Sequence, residues 1–175
     1  MAQSAAHPEN SPLEMVEEVD RDGRVLQLVT RQQMRQHVLR HRAVFIAVVS
    51  SSNQVLVHQR SLSKDIWPGW WDIAVGGVMA PGEASRDAAE RELAEEVGLT
   101  GVSVQLLGSG AFDDSNVKLV ADAYLCFSDG PFIFSDGEVV ATEWVPLSEL
   151  MGWLRTHQVL PDSVALVLPR LPMGR

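Results

Sequence analysis

Cysteine is nearly missing from this 175-residue sequence. Cys126 is the only one, so no disulfide can form within the chain, and a reducing compartment, the cytoplasm, is expected. Long apolar runs are missing as well, because none approaches the roughly 18–20 residues that a membrane span needs. The first dozen residues are polar and contain no apolar signal-peptide core. These absences argue against a membrane protein and against a disulfide-bonded secreted one.

Basic residues are in short supply, since 14 Lys and Arg stand against 23 Asp and Glu and the net charge is −9. A negative excess disfavours binding to nucleic acid or to an anionic membrane surface, so neither partner is expected. Phosphate compounds remain suitable ligands where divalent cations bridge the like charges. Between Glu83 and Glu96, six acidic and two basic residues give a local charge of −4. This segment is either a solvated helix face or a cation site.

The composition is otherwise that of an ordinary globular domain, with 46% apolar and 21% charged residues. We predict a flexible tail over residues 1–12 and one domain over residues 13–175. Alternation and turn signals predict strands at 14–19, 24–30, 42–49, 54–59, 102–107, 118–127 and 138–145, the first four forming two hairpins. Helices are predicted at 31–38, 84–97, 146–155 and 161–168, and residues 66–81 are predicted to be irregular. The expected fold class is α+β or a three-layer α/β/α arrangement, with helices on a mixed sheet.

The helix predicted at 84–97 carries an unusual acidic face. Glu92, Glu95 and Glu96 are spaced i, i+3, i+4, so their side chains project from one side of the helix. Unpaired like charges at this spacing destabilise a helix, whereas hard divalent cations prefer carboxylate oxygens as ligands. Three glutamates alone are more often a solvated face than a metal site. Their sequence surroundings favour the metal site.

The surrounding spacing resembles a known motif. Gly77, five residues, Glu83, seven residues, Arg91-Glu92-Leu93, one residue, Glu95-Glu96, one residue and Gly98-Leu99 is similar to the Nudix box at every position. The resemblance implies the Nudix fold, a mixed β-sheet sandwiched between α-helices, here with an added N-terminal β-hairpin. It also implies Mg²⁺-dependent hydrolysis, with Mn²⁺ as a substitute, of a diphosphate linkage in a nucleotide or a nucleoside diphosphate derivative. A homodimer is possible on the same ground.

The resemblance also assigns the metal-binding roles. Glu92, Glu95 and Glu96 correspond to the metal ligands, and Glu92 is in addition a candidate general base. The carbonyl oxygen of Gly76 is a candidate further ligand, because glycine permits close backbone approach.

Two further assignments depend on the same resemblance. Glu83 and Arg91 correspond to an ion pair that holds the loop against the helix. Because family members do not all take the base from the same position, a carboxylate outside the motif is an alternative base. Asp122 is preferred for this over Asp113 and Asp114, since it lies in a predicted strand.

The run from His58 to Asp72 and on to Gly77 resembles isopentenyl-diphosphate isomerases and their hydrolase-like Nudix relatives. The isomerases use a cysteine just before the box glycine and a histidine just after it. Here those positions are Gly76 and Val78, so isomerase activity is disfavoured. A Nudix domain that binds a nucleotide without cutting it is a third alternative, although all four box glutamates are kept.

Residues near the motif have several interpretations. Arg60 and Lys64 either bind a substrate phosphate or form a solvated face. Trp71, in a cluster with Trp67 and Trp70, either stacks on a substrate ring or is buried under the sheet edge. His37 and His41 could form a metal-binding pair but are more typical of structural histidines. Cys126 is expected to be a small buried strand residue.

Overall fold

The structure is a computed structural model that describes residues 11–134 and 137–173. The predicted flexible tail lies outside this part of the chain, except for residues 11 and 12. The strands are β1 (Met15–Val19), β2 (Val25–Thr30), β3 (Arg40–Val49), β4 (Gln54–Arg60), β5 (Trp71–Asp72), β6 (Val75–Val78), β7 (Val104–Asp113), β8 (Lys118–Phe127) and β9 (Val139–Pro146). The helices are α1 (Arg31–His37), α2 (Ser85–Val97), α3 (Leu150–Leu154) and α4 (Pro161–Leu166). Among the described residues, no helix has both the length and the apolarity to cross a membrane.

Strand β3 is the centre of the mixed sheet. It pairs with β8 in parallel from Arg40–Lys118 to Val49–Phe127, and with β6 in antiparallel fashion. Strand β8 continues to β7, while β4 pairs with β5 and β9. The predicted N-terminal hairpin β1–β2 is formed, and it joins the sheet next to β3.

The predicted hairpin of β3 and β4 is largely wrong. The two strands share a single pair, Val49 with Val55, because each pairs along its length with other strands. Pairing between them stops next to the turn and does not continue toward Arg40 and Arg60. At the other end, where β3 begins and β4 ends, the two strands are therefore not paired with each other, and this gap in the sheet lies near the acidic face of α2.

Both faces of the sheet are covered, which confirms the sandwich. On one face, Ala89, Leu93 and Val97 of α2 pack in a cluster with the even-numbered residues of β3. On the other face, the odd-numbered residues of β3 pack with Leu150 and Leu166 of the C-terminal helices. Residues 43–49 of β3 therefore form a continuous apolar run, as expected for a strand segment that is buried on both sides.

The ends of α2 match their sequence signals. Ala84 is the N-cap and Ser85 the first helical residue, while Gly98 ends the helix with φ of 71° and donates its backbone N–H to the carbonyl of Leu93. Only a residue that tolerates a left-handed conformation ends a helix in this way.

The C-terminal and central segments differ more from the prediction. Pro146 is the last residue of β9, where it lies opposite Gln54, so the helix predicted from Pro146 is shortened to Leu150–Leu154. The segment predicted to be irregular contains β5 and β6. In β6, Gly76 and Gly77 pair with β3 although glycine has a poor local preference for strands.

Candidate active site

The acidic face of α2 lines a cavity of about 340 Å³. Glu92, Glu95 and Glu96 form one side together with the backbone of Gly76 and Gly77 from β6. The remaining wall is rich in charged side chains of both signs. These residues are Arg31, Arg35, Arg60, Lys64, Asp65, Arg91 and Glu138. The cavity thus combines a carboxylate wall with a basic wall.

Two adjacent glycines bring β6 close to its neighbours. A methyl group at Gly77 would lie less than 3.0 Å from the carboxylate of Glu92, and only 7% of Glu92 is exposed. A methyl group at Gly76 would overlap the backbone carbonyl oxygen of Val44 in β3. Because Gly77 has no side chain, the carboxylate of Glu92, a predicted metal ligand, can lie against β6. Because Gly76 has none, β6 can pack closely against the backbone of β3.

Arg91 connects the loop before α2 to the acidic face. Its Nε and Nη2 donate to the two carboxylate oxygens of Glu83 at 2.9 and 3.0 Å. Its Nη1 donates to Glu92 Oε1 at 2.8 Å and to Glu95 Oε2 at 3.2 Å. The expected pair of Glu83 and Arg91 is thus formed, and the same guanidinium also orients two of the three predicted metal ligands.

Glu83 contributes to the stability of this loop in a pH-dependent way. Burial alone would raise the pKa of Glu83, but hydrogen bonds from Arg91 and from the backbone N–H of Ala80 outweigh it and lower the pKa below 4.5. A lowered folded-state pKa stabilises the fold above the unfolded pKa, and this contribution is lost as the pH falls through the folded pKa.

Glu83→Gln is therefore expected to lower the free energy of unfolding at pH 7 by about 1–3 kcal/mol. The difference from the unsubstituted protein should shrink as the pH falls from 4.5 toward the lowered pKa of folded Glu83, because the unfolded state gains its proton first, and it should vanish below that pKa, where Glu83 is protonated in both states. Urea titrations at pH 7 and at acid pH measure it. Glu90→Gln on the exposed side of α2 is the matched control, and an unchanging difference across this range would refute the explanation.

Glu96 is half-buried, and its charge is destabilised. Burial raises the pKa of Glu96 well above its usual range, and the negative charges of Glu92 and Glu138 add to the effect. Lys64 and Arg60 oppose it. Within the described ranges, no three Asp, Glu, His or Cys side chains are already arranged as a metal-binding group. The carboxylates thus lie near one another, with Glu92 and Glu95 hydrogen-bonded to Arg91.

Ion pairs with acidic residues of the same chain fix the side chains of the basic wall. Arg31 forms an ion pair with Glu14 at 3.1 Å, and Arg35 forms one with Asp65 at 3.1 Å. Lys64, which lines the cavity, pairs with Glu138.

Four charged residues of the cavity were not predicted from the sequence: Arg31, Arg35, Asp65 and Glu138. The spacing of the two arginines, four residues apart on the short helix, shows that they share a face. Where that helix lies against the sheet depends on the N-terminal hairpin, so the spacing alone does not place them at the site.

Two of the residues singled out in the sequence lie elsewhere. Asp122 accepts a hydrogen bond from Ser109 Oγ and lines a different cavity, so the structure does not bring this alternative base to the acidic face. Trp71 packs edge-to-face on Trp153, with ring centroids 5.5 Å apart, and is not among the residues lining the site.

His37 and His41 do not form the pair that their helical spacing would predict. His37 ends α1 and is exposed, whereas His41 is buried in β3, because Val38 adopts a left-handed conformation with φ of 49° and breaks the helix between them. Cys126 is fully buried in β8, as predicted, and burial raises the pKa of its thiol.

Comparison with known proteins agrees with this geometry. The NUDIX domain family matches residues 39–164. The uncharacterized Nudix hydrolase YfcD of Escherichia coli (strain K12) is 34% identical over 151 residues, which are 86% of this chain and 83% of that protein. An uncharacterized Nudix hydrolase of Pseudomonas aeruginosa is 31% identical over 159 residues, 91% of this chain and 94% of that one. The crystal structure of DR0079 from Deinococcus radiodurans has a TM-score of 0.77 at 25% identity and covers 90% of this chain and 99% of its own.

Proposed function

The chain belongs to the Nudix family and is a hydrolase of diphosphate bonds, and we propose that it cleaves this bond in a nucleotide or a nucleoside diphosphate derivative, using Mg²⁺ or, as a substitute, Mn²⁺. The supporting observation is the two-sided cavity. Carboxylate oxygens are the ligands that Mg²⁺ prefers, and guanidinium groups match the geometry of phosphate oxygens. When a diphosphate binds with its cation, the carboxylate wall can hold the cation and the basic wall can hold the phosphate oxygens.

The donor set on α2 fits a divalent cation. Glu92, Glu95 and Glu96 are the proposed ligands, and the Gly76 carbonyl is a further oxygen at the same cavity. Burial, together with repulsion from Glu92 and Glu138, raises the pKa of Glu96, and a bound cation would offset both effects. When bound, the cation neutralises phosphoryl oxygens and makes a coordinated water more acidic.

The chain's own residues carry the remaining steps. Glu92 is the proposed general base, and Arg91 holds its carboxylate in position through the 2.8 Å hydrogen bond. Arg60 and Lys64 are proposed to bind the substrate's phosphates, together with Arg31 and Arg35 from α1.

Glu138 takes the place of Asp122 as the candidate base from outside the motif. It lines the same cavity as Glu96 and raises the pKa of that residue, so its carboxylate lies close to the reacting region. The variant Glu138→Gln separates two roles. A lower kcat at unchanged Mg²⁺ affinity supports a base, whereas a lower Mg²⁺ affinity supports a ligand.

A hydrolysis screen tests the proposed function. We expect Mg²⁺-dependent release of phosphate-containing products from at least one of the nucleoside di- and triphosphates, NADH, FAD, ADP-ribose and dinucleoside polyphosphates. Isopentenyl diphosphate in the same panel tests the isomerase alternative, because an isomerase moves the double bond and leaves the diphosphate intact. Binding without turnover across the panel would instead support a non-catalytic nucleotide-binding domain.

A further inference from the structure

The N-terminal hairpin contacts the loop that leads into α2. This loop, residues 79–84, connects β6 to the helix that carries the acidic face. Just before it, Val78 of β6 packs in one apolar cluster with Val16 of the hairpin and Met34 of α1. Met79 then donates its backbone N–H to a carbonyl oxygen in β3 at 3.0 Å. The start of the loop is therefore fixed by the hairpin, by α1 and by the sheet.

One side chain of the hairpin also holds the tip of this loop. Glu17 of β1 is only 9% exposed, and its Oε1 accepts the backbone N–H of Gly82 at 2.9 Å. The two residues are 65 positions apart, so this contact exists only when the hairpin is docked. The other oxygen, Oε2, lies 3.7 Å from Nη1 of Arg42 in β3. These partners offset the cost of burying the carboxylate.

The loop tip determines where the Glu83 carboxylate lies. Glu83 directly follows Gly82, and its backbone N–H donates to the carbonyl oxygen of Ala80 at 3.0 Å. Its side-chain Oε2 accepts the N–H of Ala80 at 2.8 Å, so Glu83 and the tip form one compact turn. Hydrogen bonds weaken outside a narrow range of distance and angle, so movement of this turn would weaken both bonds from Arg91 to Glu83.

Arg42 interacts with two carboxylates in this region. Burial, which raises the pKa of Glu83, is outweighed by hydrogen bonds from Arg91 and Ala80, and the charge of Arg42 lowers this pKa further. Arg42 is thus near enough to act on Glu83 as well as on Glu17. The Glu17 side chain therefore has two separable contacts, a hydrogen bond to the loop tip and an ion pair with Arg42.

We infer that Glu17 is a positioning residue for the metal-binding face of α2 and that it acts through the loop tip. The tip places Glu83, and Glu83 holds Arg91 by two hydrogen bonds. Arg91 in turn orients two of the proposed metal ligands at 2.8 and 3.2 Å. Groups that orient metal ligands affect metal affinity although they do not touch the ion.

The N-terminal hairpin thereby contributes to the reaction from outside the segment shared with the family. Glu17 precedes residues 39–164, the range that the NUDIX domain family matches. It is not among the residues lining the large cavity, so it acts on the site only through other residues. This role rests on the proposed function, because it requires that the acidic face of α2 bind Mg²⁺.

Mg²⁺ binding by isothermal titration calorimetry, with kinetics beside it, tests this role. In Glu17→Ala we expect the Mg²⁺ dissociation constant to rise about ten-fold, with a matching rise in the Mg²⁺ concentration that gives half-maximal kcat. The substrate KM at saturating Mg²⁺ should change by less than about two-fold, because the basic wall is not part of this loop. The fold should survive, since Gly82 is exposed and water can accept its N–H.

Glu17→Gln separates the two contacts of the side chain. Its amide oxygen can still accept the N–H of Gly82, but it has no charge to offer Arg42, so Mg²⁺ affinity should stay within about three-fold of that of the unsubstituted protein. Glu18→Ala is the matched control. The Glu18 side chain points to the opposite face of β1 and accepts from Gln27 Nε2 at 2.7 Å within the hairpin, so its loss should leave Mg²⁺ affinity unchanged.

A double substitution tests the route through the loop. Because Glu17 acts through Glu83, adding Glu17→Ala to Glu83→Gln should weaken Mg²⁺ binding by less than about two-fold beyond Glu83→Gln alone. Full additivity would overturn this route, and so would equal losses in Glu17→Ala and Glu17→Gln. Glu17→Met, which keeps the length of the side chain without an acceptor, replaces Glu17→Ala should the latter fold poorly.

The outcomes also separate this role from the proposed function. Unchanged Mg²⁺ affinity in folded Glu17→Ala would overturn the role of Glu17 and leave the proposed hydrolase standing. Failure of the unsubstituted protein to bind Mg²⁺ would contradict both.

Discussion

Replacing Glu96 by Gln is expected to reduce diphosphate hydrolysis by roughly 100- to 1,000-fold. The half-buried side chain shares a cavity with Glu92 and Glu138, where a cation would offset the three carboxylates. An amide keeps the size but loses the charge that binds the cation. The rate should be measured with the best substrate of the hydrolysis screen, across a range of Mg²⁺ concentrations.

Stability provides an independent readout for the same variant. Because the pKa of Glu96 is raised in the fold, its charge opposes folding near neutral pH, so Glu96→Gln should be at least as stable without metal as the unsubstituted protein. Mg²⁺ should raise the unfolding temperature of the unsubstituted protein and have little effect on the variant. Loss of activity together with loss of stability would indicate damage to the fold instead.

Glu90→Gln is the matched control because it makes the same change on the exposed side of the same helix. It should retain full activity and full stabilisation by Mg²⁺. Turnover that survives Glu96→Gln would contradict the assignment of the acidic face as the metal site.

Alanine substitutions at Gly76 and Gly77 are expected to impair the protein in different ways, the first through stability and the second through activity. At Gly77 the new methyl group meets the end of the Glu92 side chain, which can move, so the fold should survive with a small loss of stability. The displaced carboxylate is a proposed metal ligand and base, so activity should fall by about 100-fold or more. At Gly76 the methyl group meets the backbone of Val44, which cannot move without disturbing β3.

Gly76→Ala should therefore reduce the free energy of unfolding by about 2 kcal/mol or more. Thermal unfolding and hydrolysis rates, measured side by side, separate the two effects. Gly152→Ala in α3 is the control, since its methyl group would have ordinary contact with Arg155 and should stabilise the helix by about 0.5–1 kcal/mol. If Gly77→Ala retained full activity, the close packing of Gly77 on Glu92 would have no catalytic importance.

Local sequence signals predicted two elements accurately, α2 and β8. The helix carrying Glu92, Glu95 and Glu96 was predicted to within one residue, because Gly98 ends it and its acidic spacing follows the helical period. Strand β8 was predicted with its observed limits. The motif around Gly77 identified the family, which the comparisons confirm; the isomerase-like branch remains a prediction.

Long-range pairing explains what was missed. Residues 42–59 contain two strands joined by a short turn, which by local rules predicts a hairpin, yet β3 pairs with β6 and β8 from later in the chain. The partners of a strand depend on which distant segments bury the same apolar surface, and no local pattern records that choice. Pro146, which was predicted to begin a helix, instead ends β9 for the same reason.

Spacing along one helix is a local property, so the sequence alone determined the carboxylate wall and the chemistry it supports. The opposing wall depended on tertiary structure, because Arg31 and Arg35 reach the cavity only when the N-terminal hairpin docks at the edge of the sheet. The same holds for Glu138, which is far from α2 in sequence. Residues from separate elements converge through packing of the whole chain, and only the fold decides which of them share a cavity.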